Sequence, residues 1–507
     1  MKKSKIILLG FLLFIAVQSI AQIQQPLRVE YDEDLGDGFN VHGFEEKKVV
    51  LVRYNKKNPD VKKETLYSYE TLDESLKKTK SASISISSKW DYISTFDNDN
   101  FQYMLSYNRK KGDFLLLKVD PQTLDISKTT GVFSNKFYVE EWFVQGDYMY
   151  VAGLVKKIYH IMVVDIRTGK VNKFLPQSMT AKDIVFMDVE RIKTPTGYEI
   201  GFQYSAEIKR KQHETYLLRF SENGEKIGNF LVLPKPDEDT ELLSTTLTKL
   251  SNGNYAVTGS YSKGKKGFSN GIYFASLSEQ GINFIKYYNF LDLNNFTSYL
   301  SERWREKIEK KQAKKEEKGE ELNLNYRVTT HDILELDGNY IFLGEFYYPT
   351  YRTETYTTTN ANGQIVYQHR QVFDGYQYSH AAIAAFNPEG KMEWSNAFDM
   401  YVYNKPYYVK QFIHAGIDKY QIKLMYITGS EIKAVSFDTN GKEAKSRTVE
   451  MVSTNHSGDK VRYTWDGACD YWYDNNFISS GFQKIKNNDN EPGNKKRSVN
   501  FINKISF

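Results

Sequence analysis

From residue 22 onward the chain alternates between apolar and polar positions in short runs rich in β-branched and aromatic residues, broken by Gly, Asn and Asp. A period of two between turn residues predicts strands and tight turns rather than helices. Two turn signals recur. In the first, a polar turn is followed by an aromatic residue that opens a strand, at Phe39, Phe101, Tyr148, Tyr198, Tyr255, Tyr340, Tyr420 and Phe477. Four of these aromatics are followed four residues later by glycine, at Gly43, Gly259, Gly344 and Gly481, where a close backbone approach leaves no room for a side chain. The second signal is a hairpin turn: VDIRTG (164–169), FSENG (220–224), LSEQG (277–281), FNPEG (386–390) and FDTNG (437–441). There Asp, Asn or Ser caps the turn and Gly supplies a positive φ; VDPQTL (119–124) is a member without glycine.

The intervals between successive strand-opening aromatics are 62, 47, 50, 57, 85, 80 and 57 residues. Two insertions account for the long ones: a charged helical segment at Thr297–Asn323 and a tyrosine-rich stretch at Pro349–Tyr376. With both set aside the period is about 50–60 residues and carries about four strands, the signature of an all-β propeller. Eight units are counted, at about 27–72, 84–130, 138–175, 184–233, 242–290, 326–400, 408–450 and 459–507, so eight blades are expected, with seven the alternative. The eighth unit is short of a fourth strand, which LRVEY (27–31) is placed to supply, closing the ring.

LELDGNYIFLGEF (334–346) followed by HAAIAAFNPEGKMEWSNAF (380–398) resembles the repeat units of bacterial secreted β-propeller proteins. The resemblance spans nearly the whole chain after residue 21 and is architectural: turn chemistry and packing, with no catalytic residue to transfer.

Residues 1–21 read as a Sec-type signal peptide, with Lys2, Lys3 and Lys5 before an apolar run and Ser19 and Ala21 at the small positions before the cut. The apolar run is about a dozen residues, too short to span a bilayer comfortably. Residues 22–507 are then expected to be a single propeller domain, periplasmic or extracellular, with no transmembrane helix and as a monomer. The 68 basic residues, less the three leader lysines, stand against 63 acidic ones, a net of +2 that offers no field for nucleic acid. The single cysteine, Cys469 between Trp465 and Trp472, reads as a buried thiol.

The charged insertion holds eight basic and seven acidic residues over 301–321 and is expected to be a solvated helix capped by Ser301 and docked by Trp304. The tyrosine-rich insertion centres on NANG (360–363), a hairpin signal. Its exposed rings and planar polar groups suit stacking on sugar or gripping a peptide. Tyr351, Arg352, Tyr356, Tyr367, His369, Arg370, Tyr376 and Tyr378 are therefore the candidate ligand- or partner-binding residues. The eight histidines show no metal-ligand spacing; His331 and His414 occupy equivalent places in units 6 and 7, where channel-facing positions would be needed to gather a metal or acid/base pair, and they are read as ordinary hydrogen-bonded histidines. No catalytic, metal or cofactor site is assigned. The expected function is a non-catalytic exported binding or scaffold propeller that recognises a glycan, peptide or envelope protein. The alternative is a polysaccharide hydrolase or lyase with its site in the central channel.

Overall fold

A computed structural model describes residues 23–507 except 33–37, 45, 56–62, 99, 176–183, 210–211, 233–239, 264–266, 419, 457 and 488–495. The expected leader lies outside the described residues. Among the described residues the strands form eight antiparallel meanders, at 38–87, 91–132, 137–174, 184–232, 240–289, 327–399, 414–451 and 459–506. The fourth and fifth are joined by one parallel pair, Lys193 with Thr248. The first unit therefore runs to residue 87 rather than 72, because the strand Gln24–Asp32 belongs elsewhere: it pairs with Lys496–Ser506 and completes the last meander. Arg497 fastens this closure, bonding Glu30 at 3.0 Å and Asp459 at 2.6 Å, while Arg28 reaches Gln483 at 2.7 Å.

The middle strands are buried on both faces because each sheet is packed on both sides. Gln102–Asn108 (QYMLSYN) is buried at every position, whereas the outer strand Lys78–Ser87 (KTKSASISIS) alternates and carries lysine where an edge faces water. Eight apolar clusters are found among the described residues, each shared by two successive meanders. Val50 and Tyr69 of the first meander meet Met104 and Leu117 of the second. Ile478 and Ile502 of the eighth return to Val49 and Leu51 of the first. First strands also touch one another, Gly38–Phe44 and His414–Ile417 both lying against Asp459–Tyr473. Sheets stacked face to face in a closed circuit, with their first strands inward, leave one description. The chain is a β-propeller.

Turn chemistry holds the period. Glycines 169, 224, 281, 390 and 441 all have positive φ, and in the glycine-free member Leu124 takes the same conformation at φ 59°. A Cβ at Gly259 would lie 2.0 Å from the Ser244 carbonyl oxygen, so the close approach is real there.

The charged insertion contains the helix Glu302–Glu316, with no buried residue. Trp304 is 57% exposed and lies under the Lys307 ammonium, so it does not dock the helix; nor does the Ser301 side chain cap it. The preceding residues do the anchoring instead. Phe290 and Phe296 stack at 4.8 Å, and Tyr299 lies flat on His380 at 4.0 Å. The apolar face of the helix is simply too narrow to compete with those rings.

Candidate functional site

The strands Asn339–Thr359 and Ile365–Phe386 form one long hairpin whose inner half is the middle of the sixth sheet. Its outer half is exposed on both faces, and bulges at Phe346/Tyr347 and Pro349/Tyr351 mark the change. At the tip, Asn360 Oδ1 accepts from the amides of Asn362 and Gln364, and Gly363 takes φ 77°.

Cross-strand register divides the candidate residues between two faces. Arg352, Tyr356 and Arg370 share one face, where both arginines bond Glu354 at 2.8 and 2.9 Å and Arg370 lies over the Tyr356 ring. Those two hydrogen bonds hold the Glu354 carboxyl below the usual carboxylate range. Tyr351, Tyr367 and His369 lie on the opposite face, with His369 bonded to the Thr355 hydroxyl at 2.9 Å. The eight candidates are thus not one site.

Tyr378 is a correction. It is 0% exposed in the core between the sixth and seventh meanders, its hydroxyl donating to the Lys410 carbonyl. It sits inward because it occupies the buried half of the hairpin, where alternation points it at the neighbouring sheet. Tyr376 is partly buried and belongs to the root of the arm, 5.0 Å from Phe373 and 5.2 Å from Tyr347.

That root meets a loop that the sequence reading passed over. The segment between Asp399 and His414 is bolted to the arm by Tyr376 N–H to the Pro406 carbonyl at 2.8 Å and Lys405 to Asp374 at 3.1 Å. Phe373 lies 6.1 Å from Tyr351 and 6.0 Å from Tyr407, and Tyr401, Tyr403 and Tyr408 of the same loop are exposed. The signal was present as four tyrosines in YVYNKPYY (401–408).

A second region lies at the inner ends of the first, second and eighth meanders. A cavity of about 640 Å³ is lined there by His42, Tyr92, Thr95, Trp465, Asp470 and Phe482, among others. A bulge between Trp465 and Ala468 in the strand Asp459–Tyr473 shifts the register opposite Gly481. His42 Nδ1 bonds Asp97, and His414 Nδ1 bonds Asp470 at 3.1 Å. His331 pairs with Glu345 at 2.7 Å, so His331 and His414 are both bonded to carboxylates, as expected. Among the described residues no group of three or more His, Cys, Asp and Glu side chains is placed to hold a metal ion. Cys469, next to the cavity in sequence, is buried, and that burial raises its thiol pKa.

Burial opposes a charge on His42, but the Asp97 carboxylate, helped by Asp470, outweighs it and raises the imidazole pKa. A raised pKa means stability that is complete below the unfolded value near 6.5 and lost as pH climbs through the folded value. His42→Gln is therefore expected to destabilise the protein more at pH 6 than at pH 9. Urea unfolding at both pH values measures it, and equal losses would contradict the pairing.

No family model matches this sequence, and no curated protein matches it significantly. Solved structures with similar architecture include the polysaccharide lyase Uly1, 7% identical over 81% of this chain and 89% of that one, with a TM-score of 0.39. The Dos1 propeller is 10% identical over 82% and 92%, TM-score 0.38. The tricorn protease is 10% identical over 85% and 36%, TM-score 0.35. Likeness at this level carries no argument about substrate or activity. No helix among the described residues is long and apolar enough to cross a membrane.

Proposed function

We propose that this is an exported, non-catalytic eight-bladed propeller that grips an extended polar partner, a glycan chain or peptide, at the root of its β-arm. The observation carrying this reading is the concentration of exposed tyrosine there. Tyr351 and Tyr407 flank Phe373, and Tyr348, Tyr401, Tyr403 and Tyr408 stand in water on the same hairpin and loop. Outside the arm and this loop only Tyr92, Tyr138, Tyr420 and Tyr463 are exposed tyrosines among the described residues, so this cluster is a departure from how the rest of the chain uses the residue. Rings with a hydroxyl at one end stack on sugar faces or peptide planes while staying hydrated. The arm's arginines are occupied by Glu354, so recognition there rests on aromatic contact more than on charge.

The test is a binding screen of the purified protein against glycans and cell-envelope extracts, beside two variants. In one, an Asn-Gly turn joins Tyr351 directly to Phe373, residues that already face each other across the hairpin. In the other, Tyr407 and Tyr408 become serine. Removing the arm is expected to leave the melting temperature within a few degrees, because the excised side chains are almost all exposed. Tyr407→Ser with Tyr408→Ser is expected to weaken binding by about tenfold or more. Binding that survives both changes would move the site to the channel.

The second reading, a polysaccharide hydrolase or lyase, has one observation in its favour: Asp97 and Asp470 belong to one channel region, with His42 beside them. It predicts release of new sugar ends from a polysaccharide, abolished by Asp470→Asn.

A further inference from the structure

The channel cavity differs in kind from the tyrosine surface. Its walls combine three chemistries. Trp465, 65% exposed, Tyr92 and Phe482 offer ring faces within a concave space, where an indole standing in water gains from an apolar partner. Asn40, Thr95, Ser480 and Asn500 offer neutral hydrogen-bonding groups. Asp470 offers a carboxylate 44% exposed, and the described lining includes no lysine or arginine.

His42 Nε2 in the lining, and Oδ1 of its partner Asp97, are buried and have no hydrogen-bond partner among the described residues. The imidazole is fixed in orientation, because its other nitrogen is held by Asp97. A buried polar group without a partner is costly, so a ligand hydroxyl that reaches His42 recovers what burial lost. The volume, about 640 Å³, falls within the range of small-molecule sites.

We propose that this cavity binds a short amino sugar carrying a free ammonium group. The sugar's C–H face packs on Trp465 and Tyr92, its hydroxyls meet the amide and hydroxyl side chains and His42 Nε2, and its ammonium pairs with Asp470. The Asp470 carboxylate disfavours uronates, because the lining has no lysine or arginine to receive a sugar carboxylate and the His42 imidazole is already paired with Asp97. Ring faces beside a carboxylate also favour an ammonium through the attraction between a cation and a π face. The inference is independent of the arm, which contributes no residue to the cavity lining.

Calorimetric titration of the full protein at pH 7 with β-1,4-linked disaccharides of glucosamine, glucose and glucuronate tests it. The glucosamine disaccharide is expected to bind at least tenfold more tightly than the glucose one, and the glucuronate one not measurably. Asp470→Asn is expected to erase the preference for glucosamine while leaving the glucose affinity within about threefold. Trp465→Ala is expected to weaken both by about tenfold, and removal of the arm to change neither. Near-ultraviolet circular dichroism establishes that each variant is folded. Equal affinity for all three sugars, no measurable glucosamine binding, or a preference that survives Asp470→Asn would each overturn the proposal.

Discussion

Acidification from pH 6.5 to 4.5 is expected to cost the protein about 2–3 kcal/mol through a single side chain, and His380→Phe to remove that share. His380 is 1% exposed, held between the parallel rings of Phe346 at 4.4 Å and Tyr299 at 4.0 Å, with the edges of Phe296 and Tyr326 closing the box. Its one polar contact is between Nδ1 and the Ser379 hydroxyl, at 2.9 Å. Burial without an acid partner lowers its pKa to about 3. The sign follows from which state takes the proton. Above about pH 6.5 the imidazole is neutral folded or unfolded, and contributes nothing to the pH dependence. Below that, the unfolded chain binds a proton that the folded one refuses, so stability falls by about 1.4 kcal/mol per pH unit until about pH 3. Phenylalanine keeps the stacked ring and cannot titrate, and Ser379 retains the Phe346 carbonyl as a partner at 3.3 Å. Urea unfolding from pH 4.5 to 7.5 should give a shallower slope for the variant, and parallel slopes would exclude His380 as the source. The effect is opposite in sign to that of His42, whose carboxylate partner makes the difference.

Glu345→Ala is expected to be the more damaging substitution, at about 3–5 kcal/mol. The Glu345 carboxylate is fully buried and serves four bonds: two from Phe412 N–H at 2.9 and 3.1 Å, one from Ile413 N–H at 2.9 Å, and one with His331 Nε2 at 2.7 Å. It joins the second strand of the sixth sheet to the segment that enters the seventh. Alanine leaves two buried amides and an imidazole without acceptors. Glu345→Gln keeps one carbonyl oxygen and is expected to cost about 1–3 kcal/mol. The ordering Ala worse than Gln, read from urea midpoints, is the test; an alanine variant within about 1 kcal/mol of the parent would show that water replaces the carboxylate.

The period of the repeat was readable because its punctuation is chemical: positive φ at Gly390 or Gly441 demands a particular residue, and the demand recurs with each sheet. The closing strand was readable for the same kind of reason, as an unpaired LRVEY facing a unit that lacks an edge. Parity was not. Tyr376 and Tyr378 lie in one aromatic run, yet only the second is wholly enclosed, and bulges in the facing strand decide where the exposed arm begins. Trp304 looked like an anchor by spacing, but spacing does not say whether a facing surface exists. The His42–Asp97 pair joins first strands of different sheets, so neither residue's neighbours in sequence mark it. Alternate positions on first strands carry that information once the meanders are assigned.

The ring closure has a consequence for how the molecule comes into being. Arg28 and Asn503, which meet across the last sheet, are 475 residues apart in the chain. The entropy of closing so long a loop grows only logarithmically, so the distance costs the finished protein little. Time is another matter. The strand at 24–32 waits for the strand at 496–506, and every sheet between them can stack on its successor while this one stays open. A chain halted before Lys496 leaves Val49 and Leu51 without Ile502 across the seam. That sheet face stays open until the strand at 496–506 is in place, so this strand serves less as a last ornament than as the stopper of the vessel.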